Sequence, residues 1–264
     1  MTSLMIFNFL TMKKKIKSTL LLILFVCVLI PNAHPQTDSK KTPESSEIWE
    51  PQPRVITPGD KPTDAPSDAL VLFDGKNLDN WVSVDGGAPK WSVKDGAFTV
   101  VAGSKDIKTK KEFGDFQLHI EWHSPSVVDP NQTGQGRGNS GIFLQERYEV
   151  QVLDNYNNKT YANGQASSIY KQHIPLVNAC KKPGEWQVYD IFYTAPRFNK
   201  EGRVTIPAYV TIVHNGALTQ NHIALWGPTE YIGFPVYKAY ETGPIRLQDH
   251  GNPVSYRNIW IREL

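Results

Sequence analysis

The stretch DFQLHIEWHS, residues 115–124, alternates apolar and polar side chains over most of its length. Successive side chains of an extended chain point to opposite faces, so Leu118, Ile120 and Trp122 fall on one side and the polar residues between them fall on the other. This pattern predicts a strand that covers a hydrophobic core with one face.

The same alternation recurs along the chain, and several of the segments end in Asp-Gly, Asn-Gly or other glycine-containing turns. The segments are ALVLFDG (69–75), KWSVKDGAFTVVAG (90–103), SGIFLQ (140–145), RYEVQVLDN (147–155), WQVYDIFYTAP (186–196), AYVTIVHNG (208–216) and RNIWIREL (257–264). They are rich in β-branched and aromatic residues, and no stretch shows a sustained helical period. Many short strands without internal repeats predict an all-β fold, either a two-sheet sandwich or a jelly roll.

The chain before this β-rich region has two parts. Residues 1–33 combine four lysines with an apolar run from Leu20 to Ile30. The run is short and no stop-transfer pattern follows it, so it predicts a signal peptide and not a membrane span. Residues 34–67 are rich in Pro, Ser, Thr and charge, which predicts a linker or a strap on the surface. Residues 68–264 remain as one large domain.

The signal peptide predicts export to the periplasm or the medium. Cys27 lies in the apolar run without the small residues that a lipoprotein signal has before its cysteine, which argues against a lipid anchor. Removal of residues 1–33 takes away four lysines and no acidic residue, so the formal charge falls from +2 to −2. The mature chain therefore lacks the basic balance of proteins that bind nucleic acid or anionic membranes. Only Cys180 remains of the two cysteines, which excludes an internal disulfide.

Four strands carry an unusual set of polar residues on the face opposite their apolar side chains. Carboxylates, amides, histidines and arginines dominate, and these groups hydrogen-bond sugars or transfer protons. The residues are Gln117, His119 and Glu121; Arg147, Glu149 and Gln151; Asp190; and Arg246, Gln248 and His250. A merely hydrated sheet face would also alternate in this way, so that interpretation stays open beside a saccharide cleft.

Two loops extend the set of candidate residues. GQGRGNSG (134–141) is rich in glycine, which permits tight turns and close approach of the backbone to a ligand, with Arg137 and Asn139 as polar contacts. It lacks the Lys-Ser/Thr ending and the following helix of a phosphate loop. The segment LDNYNNKTY (153–161) is either a plain Asx-rich turn or a site for a cation such as calcium. Its oxygen ligands would be Asp154, Asn155 and Asn157. No paired-His, HExxH or CxxC pattern supports a zinc site.

Six segments together resemble one known family. They are LFDGKNLDNW (72–81), FGDFQLHIEW (113–122), GRGNSGIFLQERYEVQVLDNY (136–156), GEWQVYDIFYTAPRF (184–198), VTIVHNG (210–216) and GPIRLQDHGNPVSYRNIWIREL (243–264). The family is the 3-keto-disaccharide hydrolases, whose domain is also described as a 3-keto-glucoside 1,2-lyase/3-keto-2-hydroxy-glucal hydratase. The resemblance covers residues 69–264 and implies a concanavalin A-like lectin/glucanase jelly roll.

The resemblance also implies a chemistry. A ketone at C3 of a glycoside acidifies the hydrogen on C2, a base removes that proton, the C1 substituent is eliminated, and water adds back. The result is net hydrolysis without a nucleotide cofactor, downstream of a separate glycoside 3-dehydrogenase. Such a site needs a base near C2 and a donor at the C3 oxygen. On this scheme we expect Glu149 or His250 as the base, with Glu121 as its partner acid or orienting group. We expect Arg246 and Gln248 to hold the C3 oxygen, and Arg137, Asn139, Gln151 and Lys171 to contact the substrate.

Two other functions fit the same residues. A conventional glycoside hydrolase would use Glu121 and Glu149 as its carboxylate pair. These glutamates lie on different predicted strands, whereas glycosidases of this fold carry both on one strand. A non-catalytic, lectin-like carbohydrate-binding module is the second alternative, because fold alone does not determine function.

Overall fold

The computed structural model describes residues 42–264, and within them the chain is built almost entirely of β-strands. The strands are β1 Leu70–Phe73, β2 Trp81–Ser83, β3 Ser92–Lys94, β4 Ala97–Thr99, β5 Ile107–Thr109, β6 Phe116–His123, β7 Ser140–Leu144, β8 Tyr148–Val152, β9 Gln187–Thr194, β10 Arg197–Phe198, β11 Val204–Ile206, β12 Tyr209–His214, β13 Ala217–Ala224, β14 Arg246–Leu247 and β15 Ser255–Glu263. Short 3-10 helices occur at Pro43–Ser46, Gly134–Gly136 and Ala162–Gly164. The prediction of an all-β fold is confirmed.

The strands form two large antiparallel sheets and one small one. The eight-stranded sheet has the order β13-β12-β9-β6-β15-β4-β3, with β1 also paired to β15. The five-stranded sheet has the order β2-β5-β14-β7-β8, and β10 and β11 form a separate ribbon. Residues of both large sheets belong to one hydrophobic core cluster. This is the predicted jelly-roll sandwich.

Side-chain alternation divides each strand between the core and the outside. In β6 the core side chains are Leu118, Ile120 and Trp122, and in β8 they are Tyr148, Val150 and Val152; all six are buried. These are the apolar faces that the sequence predicts. The predicted turn at Asn215-Gly216 joins β12 to β13, with φ of +51° and +83° at the two residues, as a tight hairpin requires.

The segment before β1 belongs partly to the domain. The chain divides into two compact units at Pro53/Arg54, so residues 54–67 of the predicted linker lie in the same unit as the sheets. The carbonyl oxygen of Thr63 accepts hydrogen bonds from Asn258 Nδ2 at 2.9 Å and from Trp260 Nε1 at 3.0 Å. The predicted signal peptide lies outside the described residues. Within residues 42–264, no helix has the length and apolar character needed to span a membrane.

Candidate active site

A cavity of about 560 Å³ lies over the outer face of the five-stranded sheet. Its floor comes from β7, β8 and the chain just after β14, which are neighbours in that sheet. The core side of these strands is formed by residues such as Ile142, Val150 and Leu247. The residues between them therefore point away from the core and into the cavity.

Cross-strand pairing arranges the floor in two rows. In the first row Phe143 lies opposite both Arg246 and Glu149. In the second row Gly141 pairs with Gln151, and its carbonyl oxygen accepts a hydrogen bond from the backbone of Gln248 at 3.0 Å.

Gly141 provides the space that the Glu149 carboxyl occupies. A Cβ at position 141 would lie 2.7 Å from Glu149 Oε1 and 2.9 Å from the Phe143 ring. Gly138, in the same glycine-rich loop, has a φ of +58°, and its absent Cβ would lie 2.7 Å from the Cβ of Ser124. We predicted that these glycines allow a ligand to approach the backbone. The structure corrects this, since at both positions the glycine makes room for another side chain of the protein.

The electrostatic environment of Glu149 favours proton exchange near neutral pH. The residue is 5% exposed, and its carboxyl forms no hydrogen bond within residues 42–264. Burial raises the pKa of this carboxyl to about 8, against the opposing positive charge of Arg246 and with the added effect of Asp106. Arg246 is paired with Asp106, and its guanidinium carbon lies 3.6 Å from the centre of the Phe143 ring. A general acid or base is most effective when its pKa lies near the working pH.

Three amide oxygens in the cavity lining are buried and have no hydrogen-bond partner in the described part of the chain. They are Asn139 Oδ1, Gln151 Oε1 and Gln248 Oε1. Gln135 holds the amide nitrogens of the first two: Asn139 Nδ2 donates to its carbonyl at 2.8 Å and Gln151 Nε2 donates to its Oε1 at 3.0 Å. Buried polar atoms are nearly always paired in folded proteins, so three free acceptors in one cavity indicate a ligand that carries several hydroxyl groups.

The walls are attached to the edge of β8. The segment 167–170 pairs with this strand through Gln151 N to Ser168 O at 3.0 Å and Tyr170 N to Glu149 O at 3.1 Å. This pairing covers the sheet edge and brings Tyr170 and Lys171 to the cavity. At the same edge, Thr229 Oγ1 accepts a hydrogen bond from the Glu149 backbone N–H at 2.9 Å.

The structure brings six of the nine predicted site residues together around this cavity. They are Asn139, Glu149, Gln151, Lys171, Gln248 and His250. His250 is exposed and follows β14 in an irregular segment. The strand that we predicted to run on to His250 ends at Leu247.

Two predicted residues support the cavity from outside. Arg137 Nε donates to Asp154 Oδ2 at 2.7 Å, and its Nη2 donates to the carbonyl of Tyr156. Arg246 lies against the Phe143 ring in its pair with Asp106, and neither arginine is among the described residues that line the cavity. Direct contact of either arginine with the substrate stays a prediction. Both have fixed partners in the protein.

Glu121 lies elsewhere. It belongs to β6 in the eight-stranded sheet, where its Oε2 accepts a hydrogen bond from Arg257 Nε at 2.6 Å and its Oε1 one from Asn258 Nδ2 at 2.9 Å. Its side chain points away from the core on the opposite sheet from Glu149. The predicted partnership between the two carboxyls is therefore wrong, and so is the carboxylate pair of a conventional glycosidase.

Two of the three predicted ligands in the calcium loop, Asp154 and Asn155, have partners within the protein. Besides Arg137, Asp154 accepts the backbone N–H of Tyr156 at 3.0 Å, and Asn155 Oδ1 accepts that of Ala166 at 2.6 Å. Over residues 42–264 no group of three or more His, Cys, Asp or Glu is placed to hold a metal ion. A bound cation at this loop stays a prediction.

Sequence reasoning missed half of the lining. The missed residues are Gln135, Phe143, Tyr161, Tyr170, Thr229 and Tyr231. Phe143 could have been found, because it alternates with the core residues Ile142 and Leu144. The others lie in irregular segments, where no period assigns a side chain to a face.

Known proteins resemble this chain over the same region. A family model described as 3-keto-alpha-glucoside-1,2-lyase-like domain matches residues 68–262. A 3-keto-disaccharide hydrolase of Bacteroides thetaiotaomicron is 27% identical in an alignment that covers 74% of this chain and 78% of that protein. A solved structure of a candidate glycosyl hydrolase from Parabacteroides distasonis is 57% identical, with a TM-score of 0.81 over 84% of this chain and 97% of the other. A second one from that organism, 24% identical with a TM-score of 0.55 over 75% of this chain and 94% of its own, shares the fold. Since the family model spans most of the chain, this protein belongs to the family of 3-keto-alpha-glucoside-1,2-lyase-like domains.

Proposed function

We propose that this protein is a carbohydrate-active enzyme that cleaves 3-keto-glycosides by elimination and rehydration. The observation that carries the proposal is the combination of three unpaired amide oxygens with one buried, unpaired carboxyl of near-neutral pKa in a single cavity. The amide oxygens suit sugar hydroxyls and the carboxyl suits proton transfer. The name of the Bacteroides relative supports the 3-keto-disaccharide as substrate class.

Glu149 is the base of this mechanism. It is the only carboxylate among the described residues that line the cavity, and no group within residues 42–264 hydrogen-bonds its carboxyl. In its ionised form it removes the proton from C2, and the electron pair moves onto the C3 oxygen as an enolate. The amide nitrogen of Gln248, which has no hydrogen-bond partner within residues 42–264, donates to that oxygen.

The enolate then re-forms the ketone, its electron pair creates the C1=C2 double bond, and the C1 substituent leaves with the electrons of the C1–O bond. Water enters from the open side of the cavity, where His250 takes its proton as the oxygen adds to C1. Protonated Glu149 returns a proton to C2, so the sum of the steps is hydrolysis. Proton transfer by a positioned side chain contributes about 10²–10⁴ in rate.

A conventional hydrolase needs two carboxylates that flank the scissile bond. The described lining of the cavity offers one, which favours elimination over direct displacement.

We further propose that the protein is exported and that a separate glycoside 3-dehydrogenase supplies the ketone, since the cavity chemistry begins from an oxidised sugar.

The test supplies purified protein with a 3-keto-glucoside and, separately, with the unoxidised glucoside in D₂O. Cleavage of the keto form alone, with deuterium found at C2 of the product, is expected. Cleavage of the plain glucoside without deuterium at C2 would overturn the mechanism. Binding of sugar without turnover of either compound would instead favour a carbohydrate-binding module.

A further inference from the structure

Lys171 occupies an unusual position at the open side of the cavity. Its backbone is in the left-handed region with φ of +63°, and its N–H donates to the carbonyl of Asn163 at 2.9 Å. Its ammonium nitrogen lies 4.8, 5.8 and 5.1 Å from the ring centres of Tyr161, Tyr170 and Tyr231. Within residues 42–264 no carboxylate pairs with it. We call these four residues the lysine–tyrosine wall.

The three tyrosines do not neutralise the lysine. The hydroxyls of Tyr161 and Tyr170 lie 2.6 Å apart and hydrogen-bond each other. Burial raises the pKa of both phenols above the usual value near 10, so the hydroxyls stay protonated at neutral pH. The wall therefore presents a positive charge held by neutral rings, an arrangement suited to an oxygen on which negative charge develops.

The depth of the cavity decides which part of the substrate meets this wall. Asn139, Glu149 and Gln151 are at most 5% exposed, whereas Tyr161 is 39% and Tyr231 73% exposed. The ring whose C2 proton is removed must reach the buried Glu149, which leaves the exposed tyrosines for the part of the substrate outside that ring. The volume of about 560 Å³ lies well inside the range of about 300–1,000 Å³ typical of small-molecule sites, which leaves room for a second ring.

We propose that Lys171 stabilises and protonates the oxygen that leaves C1, and that the tyrosine rings form the surface on which a ring-bearing leaving group lies. This assignment rests on the elimination mechanism proposed above. It gives a specific role to Lys171, for which the family resemblance implies contact with the substrate.

The electron and proton balance is simple. As the enolate forms the C1=C2 bond, the C1–O bond breaks and both its electrons remain on the departing oxygen. The Lys171 ammonium donates a proton to that oxygen, and the neutral amine regains a proton from solvent. The leaving group departs as a neutral alcohol.

The decisive experiment separates removal of the C2 proton from departure of the leaving group. In Lys171→Met, exchange of the C2 hydrogen of 3-keto methyl glucoside with D₂O, followed by NMR, should stay within about threefold of the wild type. Release of methanol should fall by about 10²–10⁴. Release of 4-nitrophenol from the matching 3-keto aryl glucoside should fall much less, because that anion leaves without a proton. Lys182→Met, an exposed lysine outside the cavity, is the matched control and should change neither rate.

Two further variants keep the test independent of folding. Lys171→Arg retains the charge and should recover part of the methanol release lost in Lys171→Met. Tyr231→Ala should raise the KM of the aryl substrate more than that of the methyl substrate. Equal loss of exchange and release in folded Lys171→Met would overturn the assignment of Lys171. A wild-type protein that neither exchanges C2 nor cleaves a keto sugar would instead overturn the proposed function.

Discussion

The outer faces of the two large sheets carry similar polar residues, but those residues differ in whether the protein supplies their hydrogen-bond partners. On the eight-stranded sheet, His119 Nδ1 pairs with Asp190 at 2.7 Å and Glu121 pairs with Arg257 and Asn258. We call this group the paired cluster. On the five-stranded sheet, three amide oxygens of the cavity have no partners within residues 42–264, and the Glu149 carboxyl forms no hydrogen bond there.

The pKa values of the two glutamates follow from this difference. For Glu121, desolvation by burial acts to raise the pKa. The nearby His119, whose Nε2 lies 3.8 Å from Oε1, and the hydrogen bonds from Asn258 and Arg257 outweigh this effect and hold the value at about 2. For Glu149, burial without such bonds raises the pKa to about 8. Satisfied polar groups hold structure together, whereas unsatisfied ones at similar burial mark the place where a ligand completes the network.

The largest expected effect separates the two glutamates by activity. Glu149→Gln should lower kcat/KM for a 3-keto-glucoside by about 10²–10⁴, because the base is removed while the shape is kept. Glu121→Gln is the matched variant and should stay within about threefold of the wild type. For the wild type, kcat/KM should rise with pH to a plateau above about 8, where Glu149 is ionised. Equal losses in both variants would contradict the division into a cavity and a paired cluster.

The next effect concerns the space beside Glu149. Gly141→Ala places a methyl group 2.7 Å from Glu149 Oε1, so the carboxyl must move. A displacement of about 1 Å can cost about 100-fold in rate, and we expect a loss of that size in kcat. Gly136→Ala lies in the same loop with no atom within 4 Å of the new Cβ, and it should leave kcat unchanged. A fully active Gly141→Ala would show that the carboxyl position is not critical.

As the pH rises and Glu149 ionises, the free energy of unfolding should fall, whereas the catalytic rate should rise. The folded-state pKa lies above the unfolded value, so wild-type stability falls as pH rises from about 4.5 to 8 and is level beyond. Glu149→Gln carries no charge, so its stability advantage should grow over this window to about 2–4 kcal/mol. Urea unfolding at pH 4.5, 6 and 8 measures it. An advantage independent of pH would contradict the raised pKa.

Substitution of Glu121 should change the free energy of unfolding by a smaller amount, and this change should depend on pH in the reverse direction. Its folded-state pKa is depressed, so its contribution is present above about pH 4.5 and is lost as the pH falls toward 2. Glu121→Gln should destabilise by about 1–2 kcal/mol at pH 7, since the Arg257 partner is 41% exposed and solvent weakens the pair. The loss should shrink in unfolding experiments near pH 3, and a constant loss would assign it to packing alone.

The sequence predicts which face of a sheet a side chain occupies only where the residues alternate with a period of two. The period of two assigned Glu149, Gln151 and Gln248 to a face away from the core, and the structure places them there. It assigned Glu121 in the same way, since a sandwich has two outer faces and alternation does not tell them apart. Only the pairing of β6 with β15 and of β8 with β7 separates these residues, and strand pairing is a long-range property.

The loop residues were harder to predict for a different reason. Tyr161 and Tyr231 lie near segments that attach to β8, one through residues 168–170 and the other through Thr229, and these contacts join residues far apart in sequence. Lys171 was predicted as a substrate contact on the scheme that the family resemblance implies, but its place among three rings follows from these attachments.

The hydrogen bonds to Thr63 bear on how this domain should be produced in the laboratory. The family match begins at residue 68, whereas the compact unit begins at Arg54. A recombinant chain trimmed to the family boundary would lose the acceptor that serves both Asn258 and Trp260, and it would uncover the indole of Trp260 beside the paired cluster. Trimming at residue 53 keeps that cover, so the evolutionary boundary and the boundary for expression should be chosen separately.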